Sequence, residues 1–319
     1  MPLKEKSLLA RIRARAHSAG GVIAGIGDDA AVLRIPPAHQ ALVTTDFSLE
    51  GIHFRREWHA PEVIGHRALA RGLSDIAAMG GEPIAAFLSL ALPPSLPQAW
   101  VDGFLQGLLK LAKTFKISLA GGDTSESPAG GVLIDIVVVG SVPRAKAILR
   151  SGARAHHRIY VTGTLGGSAA ALSLLFSGRK LRARDFPQHF HPMPRIRVGQ
   201  VLRQRAIPSA MIDLSDGLST DLAHICCESG VGAEIEAEAI PTAKLGKSAI
   251  PVDRKFVLDG GEDYELLFTA PPGRRVPRHI AGIPITPIGS IRPNPGIFLM
   301  TEGTRVKLAP QGWQHFDRD

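Results

Sequence analysis

Ala210-Met211-Ile212-Asp213-Leu214-Ser215-Asp216-Gly217 is the stretch from which the rest of the chain is read. A short apolar run ends in two carboxylates and a glycine, and a helical pattern follows from Leu218 to Glu228. That is a strand handing over to a helix through an acidic turn. Upstream, Arg158 to Val161 is a second strand, followed by Gly163-Thr164-Leu165-Gly166-Gly167 and a helix of small residues from Ser168 to Phe176. Downstream, Gly260-Gly261-Glu262-Asp263 leads into a strand from Tyr264 to Thr269.

The N-terminal half repeats the alternation. Ala41 to Thr45 is a strand running into Asp46, and Glu62 to Met79 carries Ile64, Ala68, Leu69, Leu73, Ile76 and Ala77 at helical spacing. Ile84 to Leu92 is a strand, Trp100 to Phe115 an amphipathic helix, and Ile117 to Ala120 a short strand ending in Gly121-Gly122-Asp123. Val132 to Val142, interrupted by Asp135, reads as a buried strand. Ser7 to His17 reads as a short helix. Alternating strands and helices predict an α/β fold in two domains. The expected domains are residues 1–150, a mixed sheet with helices, and 151–319, an α/β sandwich with a second sheet.

Length and composition agree with this. A chain of 319 residues is too long for one small core. A net charge of +8 leaves two readings, a nucleic-acid binder or an enzyme of small anionic substrates. The Lys and Arg residues are scattered, and the densest stretch, Arg179 to Arg184, reads as a solvated basic face. No RNA-binding signature or Cys/His zinc pattern accompanies it, so no nucleic-acid partner is expected. No apolar run is long enough to cross a bilayer, and no secretory signal is apparent. Cys226 and Cys227 are adjacent, poorly placed to pair, and expected as buried reduced thiols of a cytoplasmic protein.

The chemistry lies in a repeated design of strand, carboxylate and small residue. It occurs at Gly25-Ile26-Gly27-Asp28-Asp29, Thr44-Thr45-Asp46, Gly121-Gly122-Asp123 and Asp213-Leu214-Ser215-Asp216-Gly217, and Asp75 joins from a helix. Taken singly, an Asp beside Gly is more often a turn residue or a helix cap. As a set, these residues suit Mg²⁺ ions that neutralise a nucleotide polyphosphate, because Mg²⁺ prefers carboxylate and phosphate oxygens. The glycines let backbone amides approach phosphate oxygens. Gly163 to Gly167 lacks the Lys-Ser/Thr ending of a P-loop and reads as a tight strand-to-helix turn.

Several strings occur in a fixed order: IGDDAAVL from Ile26, LVTTDFSLEGIHF from Leu42, IGHRALARGLSDIAAMGGEP from Ile64, AGGDTSE from Ala120, LRSGA from Leu149, IYVTGTLGGSAAAL from Ile159, MIDLSDGLSTDLAHI from Met211 and GGEDYELLFT from Gly260. Together they closely resemble the thiamine-monophosphate kinase family, within the superfamily that includes aminoimidazole ribonucleotide synthetase. The resemblance runs from about Ser7 to Phe316, and GIHF and GWQHF favour the kinase over its relatives. It implies an ATP-dependent kinase that phosphorylates thiamine monophosphate with the help of several Mg²⁺ ions. The implied metal ligands are Asp29, Asp46, Asp75, Asp123, Asp213 and Asp216, helped by Thr44 and Thr45. The implied nucleotide contacts are Gly122, Asp123, Arg150 and Ser215, with Phe115 at the position of an aromatic that is often Tyr. The implied substrate contacts are His53, Glu262 and Trp313. No covalent or general-base residue is implied. The C-terminal domain is expected to complete the active site, and the N-terminal sheet to pair with its twin in a homodimer.

Other readings fit less well. A selenophosphate synthetase usually carries a reactive Cys in an N-terminal Gly-rich segment, and the only cysteines here are Cys226 and Cys227. A basic nucleic-acid binder has no use for six carboxylates at strand ends and turns. His156-His157 reads as a solvated loop, and His189 and His191 as loop histidines without acidic partners.

Overall fold

The computed structural model describes residues 5–16, 20–127, 130–246 and 250–313. The chain divides into two compact units, one within Met1–Ile76 and Gly81–Ala145, the other within Ala77–Gly80 and Lys146–Asp319. Elements up to the first boundary are α1 (Glu5–Arg15), β1 (Val22–Ala24), β2 (Val32–Leu33), β3 (His39–Leu49), α2 (Pro61–Ala78), β4 (Glu82–Leu92), α3 (Gln98–Thr114), β5 (Ser118–Glu126) and β6 (Leu133–Pro143). The remainder are β7 (Arg158–Thr162), α4 (Gly167–Phe176), α5 (Pro187–Phe190), α6 (Ile196–Gln204), β8 (Ala210–Asp213), α7 (Leu218–Ser229), β9 (Gly232–Glu236), β10 (Lys244–Leu245), β11 (Ile250–Pro251), α8 (Arg254–Asp259), β12 (Leu266–Ala270), β13 (His279–Ile280), β14 (Ile283–Arg292), β15 (Gly296–Thr301) and β16 (Thr304–Lys307). His17 and the end of GWQHF lie outside the described residues.

The first unit is built on a four-stranded mixed sheet in the order β3-β6-β4-β5, antiparallel except for the β4–β5 pair. The predicted stripe of α2 is buried at Ile64, Ala68, Leu69, Leu73 and Ile76. Helices α2 and α3 touch backbone to backbone where both lack a side chain. A Cβ at Gly107 would sit 1.8 Å from the Glu62 carbonyl oxygen, and one at Gly65 2.0 Å from that of Phe104. On the opposite face of the sheet, Val22, Ala31, Leu33 and Ile35 pack over Ile84, Ala85 and Ala120. The β3 part of that face stays open, with Val43 67% and Phe47 61% exposed.

Two strands run further than the sequence predicts. β3 continues to Leu49, so Asp46 stands within the strand rather than at its end. Eleven aligned pairs with β6 hold it extended past the carboxylate. β5 continues through Gly121-Gly122-Asp123 to Glu126, because β4 supplies parallel partners as far as Leu92.

The second unit carries an eight-stranded sheet in the order β16-β15-β9-β14-β7-β12-β8, with β13 on β14. Among the described residues, only the β15–β9 pair of this sheet is parallel. Its core joins Ile159, Val161, Ile212 and Leu267 of the sheet to Leu222 and Ile225 of α7. α7 turns Cys226 inward, but Cys227, about 100° around the helix, is exposed. The expectation of two buried thiols therefore holds for one. β12 begins at Leu266 rather than Tyr264, because Glu262 and Tyr264 adopt left-handed backbone at φ 64° and 50°.

Two histidine expectations are also corrected. His157 is buried rather than solvated, and its Nδ1 pairs with Ser209 Oγ at 2.7 Å. Burial and the Arg154 charge hold its pKa below the usual imidazole value. His189 lies in α5, fully buried, with Nδ1 3.0 Å from Ser168 Oγ.

Candidate active site

In the first unit the expected residues fall into three groups. Asp29 lines a cleft of about 210 Å³ with Gly25, Gly27, Asp28, Gly121, Gly122 and Asp123. Gly122 has φ 147°, and a Cβ there would meet the Leu88 carbonyl oxygen at 1.8 Å, so only glycine fits this close approach. Asp123 Oδ1 accepts the N–H of Thr124 at 2.8 Å.

The second group faces α2. β-strand alternation sends Thr44 and Asp46 to one face and Thr45 to the other. Thr44 Oγ1 donates a hydrogen bond to Asp75 of α2. Arg71 Nε lies 4.0 Å from Asp46 Oδ1. Burial, then the Asp75 charge, pushes the Asp46 carboxyl up to about 7, with Arg71 pulling the other way. Carboxylates are thus assembled here against their mutual repulsion.

The third group is on the outer face. Thr45 Oγ1 donates to Asp135 Oδ1 at 2.7 Å. In register, Phe47, Asp135, Ser89 and Asp123 stand side by side across β3, β6, β4 and β5. The charge of Asp135 also raises Asp46. Asp135 was not among the expected site residues. Its signal in the sequence is an acidic residue inside an otherwise apolar strand.

His53 follows β3 in a tight turn, where its Nδ1 accepts the Leu49 N–H at 3.0 Å. An accepting Nδ1 puts the proton of the neutral ring on Nε2. Phe115 caps α3, its N–H donating to Leu111 O at 3.2 Å, and it is not among the residues lining the Asp29 cleft.

In the second unit Asp213 ends β8 and is buried, while Ser215 and Asp216 are half-buried on the turn into α7. Arg150 is exposed, and its carbonyl oxygen accepts Ser229 Oγ at 3.3 Å. Glu262 donates its N–H to Ser215 O at 2.8 Å, and Trp313 its N–H to Asp216 O at 3.1 Å. Trp313 is 53% exposed. Thus Ser215, Asp216, Glu262 and Trp313 form one connected cluster.

Three acidic residues around this cluster were not among the expected site residues. Asp221 carries one oxygen to the N–H groups of Ser215, Asp216 and Gly217. Burial, with the charges of Asp213 and Asp216, raises its pKa against the N–H groups of Asp216 and Gly217. Asp263 accepts the Gly166 N–H at 2.7 Å, and burial pushes its carboxyl up to about 8. Glu265 is buried, pairs with Arg195, and accepts Thr162 Oγ1 at 2.6 Å. Among the described residues, ligand atoms of Asp216, Asp221 and His224 lie within 4.8 Å of one another.

Residues 27–142 match the AIR synthase related protein, N-terminal domain, and residues 154–276 the matching C-terminal domain. The chain is 38% identical to the thiamine-monophosphate kinase of Escherichia coli O157:H7 over 330 aligned residues, covering 99% of both proteins. The chain belongs to the thiamine-monophosphate kinase family. Its fold resembles the crystal structure of the family member from Stenotrophomonas maltophilia K279a, with a TM-score of 0.81 and 36% identity over 95% of this chain and 99% of that one. Another family structure, AaThiL complexed with AMPPCP and TMP, matches with a TM-score of 0.76 and 34% identity, covering 91% and 92% of the two chains. In keeping with the family's α/β fold, no described helix is long and apolar enough to cross a membrane.

Proposed function

We propose that this protein transfers the γ-phosphoryl group of ATP to thiamine monophosphate, giving ADP and thiamine diphosphate. The observation that carries this reading is the likeness to thiamine-monophosphate kinases over 99% of the chain. The relative whose structure is described as complexed with AMPPCP and TMP supports the same pair of ligands.

The acceptor is already a phosphate oxyanion, so transfer needs no strong general base and no phosphoenzyme. Alignment and charge neutralisation carry the catalysis. On this reading Gly122, Asp123, Phe115, Ser215 and Arg150 are nucleotide contacts, with the guanidinium fork of Arg150 suited to phosphate oxygens. His53, Glu262 and Trp313 receive thiamine monophosphate. His53 offers Nε2–H as a donor, and the Trp313 ring offers a face to the cationic thiazolium.

The donor set of this chain suits Mg²⁺. Every assigned ligand is a hard oxygen, and Asp46 is raised by burial and by the Asp75 carboxylate beside it. Asp29, Thr44, Thr45, Asp46, Asp75, Asp123, Asp213 and Asp216 would share out several such ions. Bound there, Mg²⁺ would neutralise phosphate charge.

The open apolar face at Val43 and Phe47 supports a homodimer, since a sheet face of this kind is normally covered. Two cysteines without a disulfide fit a cytoplasmic enzyme.

The test is a substrate screen of the purified protein with Mg-ATP and thiamine monophosphate, free thiamine or other monophosphates, read by mass spectrometry. Thiamine diphosphate should form from the monophosphate. Its formation from free thiamine at a comparable rate would refute the reading.

A further inference from the structure

Three consecutive peptide groups join Leu214 to Gly217, and each is held at both ends. Their N–H groups, from Ser215, Asp216 and Gly217, all donate to Asp221 Oδ2, at 3.1, 3.2 and 3.1 Å. Their carbonyl oxygens, on Leu214, Ser215 and Asp216, accept the N–H groups of Tyr264, Glu262 and Trp313, at 2.9, 2.8 and 3.1 Å.

The pattern has a physical cause. In a trans peptide the N–H and C=O point in opposite directions. Turning three successive N–H groups onto one oxygen therefore turns three successive carbonyls the other way. Successive N–H groups do not converge in an extended strand, where they alternate. An acceptor must gather them, and Asp221 does so from the first turn of α7, at 1% exposure. Gly217, at φ 112°, completes the turn where any Cβ would meet Asp259.

We propose that Asp221 is a positioning residue that holds the Ser215–Asp216 turn and the Glu262 and Trp313 backbones in one arrangement. Asp221 itself need not touch a substrate. It orients the peptide groups that bring the Glu262 and Trp313 backbones onto the loop bearing Ser215 and Asp216. The left-handed backbone at Glu262 and Tyr264, which costs energy for non-glycine residues, is held by the same carbonyl contacts. The link to substrate affinity rests on the assignment of Glu262 and Trp313 to thiamine monophosphate; the backbone arrangement does not.

The experiment compares wild type, Asp221→Asn and Asp221→Ala as full chains. Amide hydrogen exchange, resolved to single residues, is measured without substrate. Steady-state kinetics with thiamine monophosphate and Mg-ATP follow. In wild type the amides of Ser215, Asp216, Gly217, Glu262, Tyr264 and Trp313 should exchange far more slowly than exposed loop amides. Exposed-loop rates there would overturn the proposal, whether or not any variant folds. Asn retains an accepting oxygen and should stay within about threefold of wild type in KM for thiamine monophosphate. Ala should speed exchange at all six amides, leave the β12 amides slow, and raise that KM tenfold or more. Faster exchange in Ala confined to Ser215–Gly217, with Glu262 and Trp313 unchanged, would overturn the coupling. If wild type does not phosphorylate thiamine monophosphate but its six amides are protected, the functional reading fails and the positioning role stands.

Discussion

Asp46→Asn should stabilise the metal-free protein at high pH while removing activity. Asp46 is pushed from 3.8 up to about 7 by burial and by the Asp75 charge. The folded state therefore binds this proton more tightly than the unfolded chain. The contribution to stability is complete below pH 3.8 and is lost as pH rises through about 7. Three pH units at ~1.4 kcal/mol each set a ceiling of about 4 kcal/mol. The side chain is 25% exposed and Arg71 lies close, so about 1–3 kcal/mol is the expected gain at pH 8. For a domain of this size that corresponds to a rise in melting temperature of roughly 5 °C. The assay is thermal unfolding in a chelator at pH 5 and pH 8, wild type against variant. Asp263, pushed up to about 8, titrates with the same sign in both proteins, so the difference between them isolates Asp46. A variant no more stable than wild type at pH 8 would refute the argument.

Asp123→Asn should lose most turnover at saturating Mg²⁺ with its fold intact by circular dichroism; normal activity would remove it from the metal set. Trp313→Ala should raise the KM for thiamine monophosphate, leave that for ATP nearly unchanged and barely move the melting temperature, since a half-exposed ring contributes little to the core. An unchanged KM in a well-folded variant would make Trp313 an anchor of the chain end. Light scattering at micromolar concentration should give a dimer mass, and Phe47→Asp, placing a charge on the open sheet face, should shift it toward the monomer.

The sequence by itself determined the elements and their order. The α2 stripe from Ile64 to Ile76 appears in the structure with every predicted residue buried, because a 3.6-residue period leaves no other face to bury. The Asp213–Gly217 turn was legible for a similar reason, whereas Gly121-Gly122, read as the end of a strand, lies inside β5. A carboxylate beside glycine has few local uses, and a motif repeated in fixed order narrows them further.

Only tertiary structure decided which side chains meet. Thr44 and Thr45 are neighbours in sequence and take different carboxylates, Asp75 and Asp135, because strand alternation sends them to opposite faces of the sheet. Strand ends were also set from outside, since β3 and β5 extend as far as β6 and β4 supply partners. Asp221, in the sequence, is one polar residue in the first turn of a helix. Its role depends on the N–H groups of a turn four to six residues earlier and on carbonyls that meet Glu262 and Trp313, distant in the chain. Hydrogen bonds across such separations leave no periodic trace in sequence, so only the folded chain reveals them.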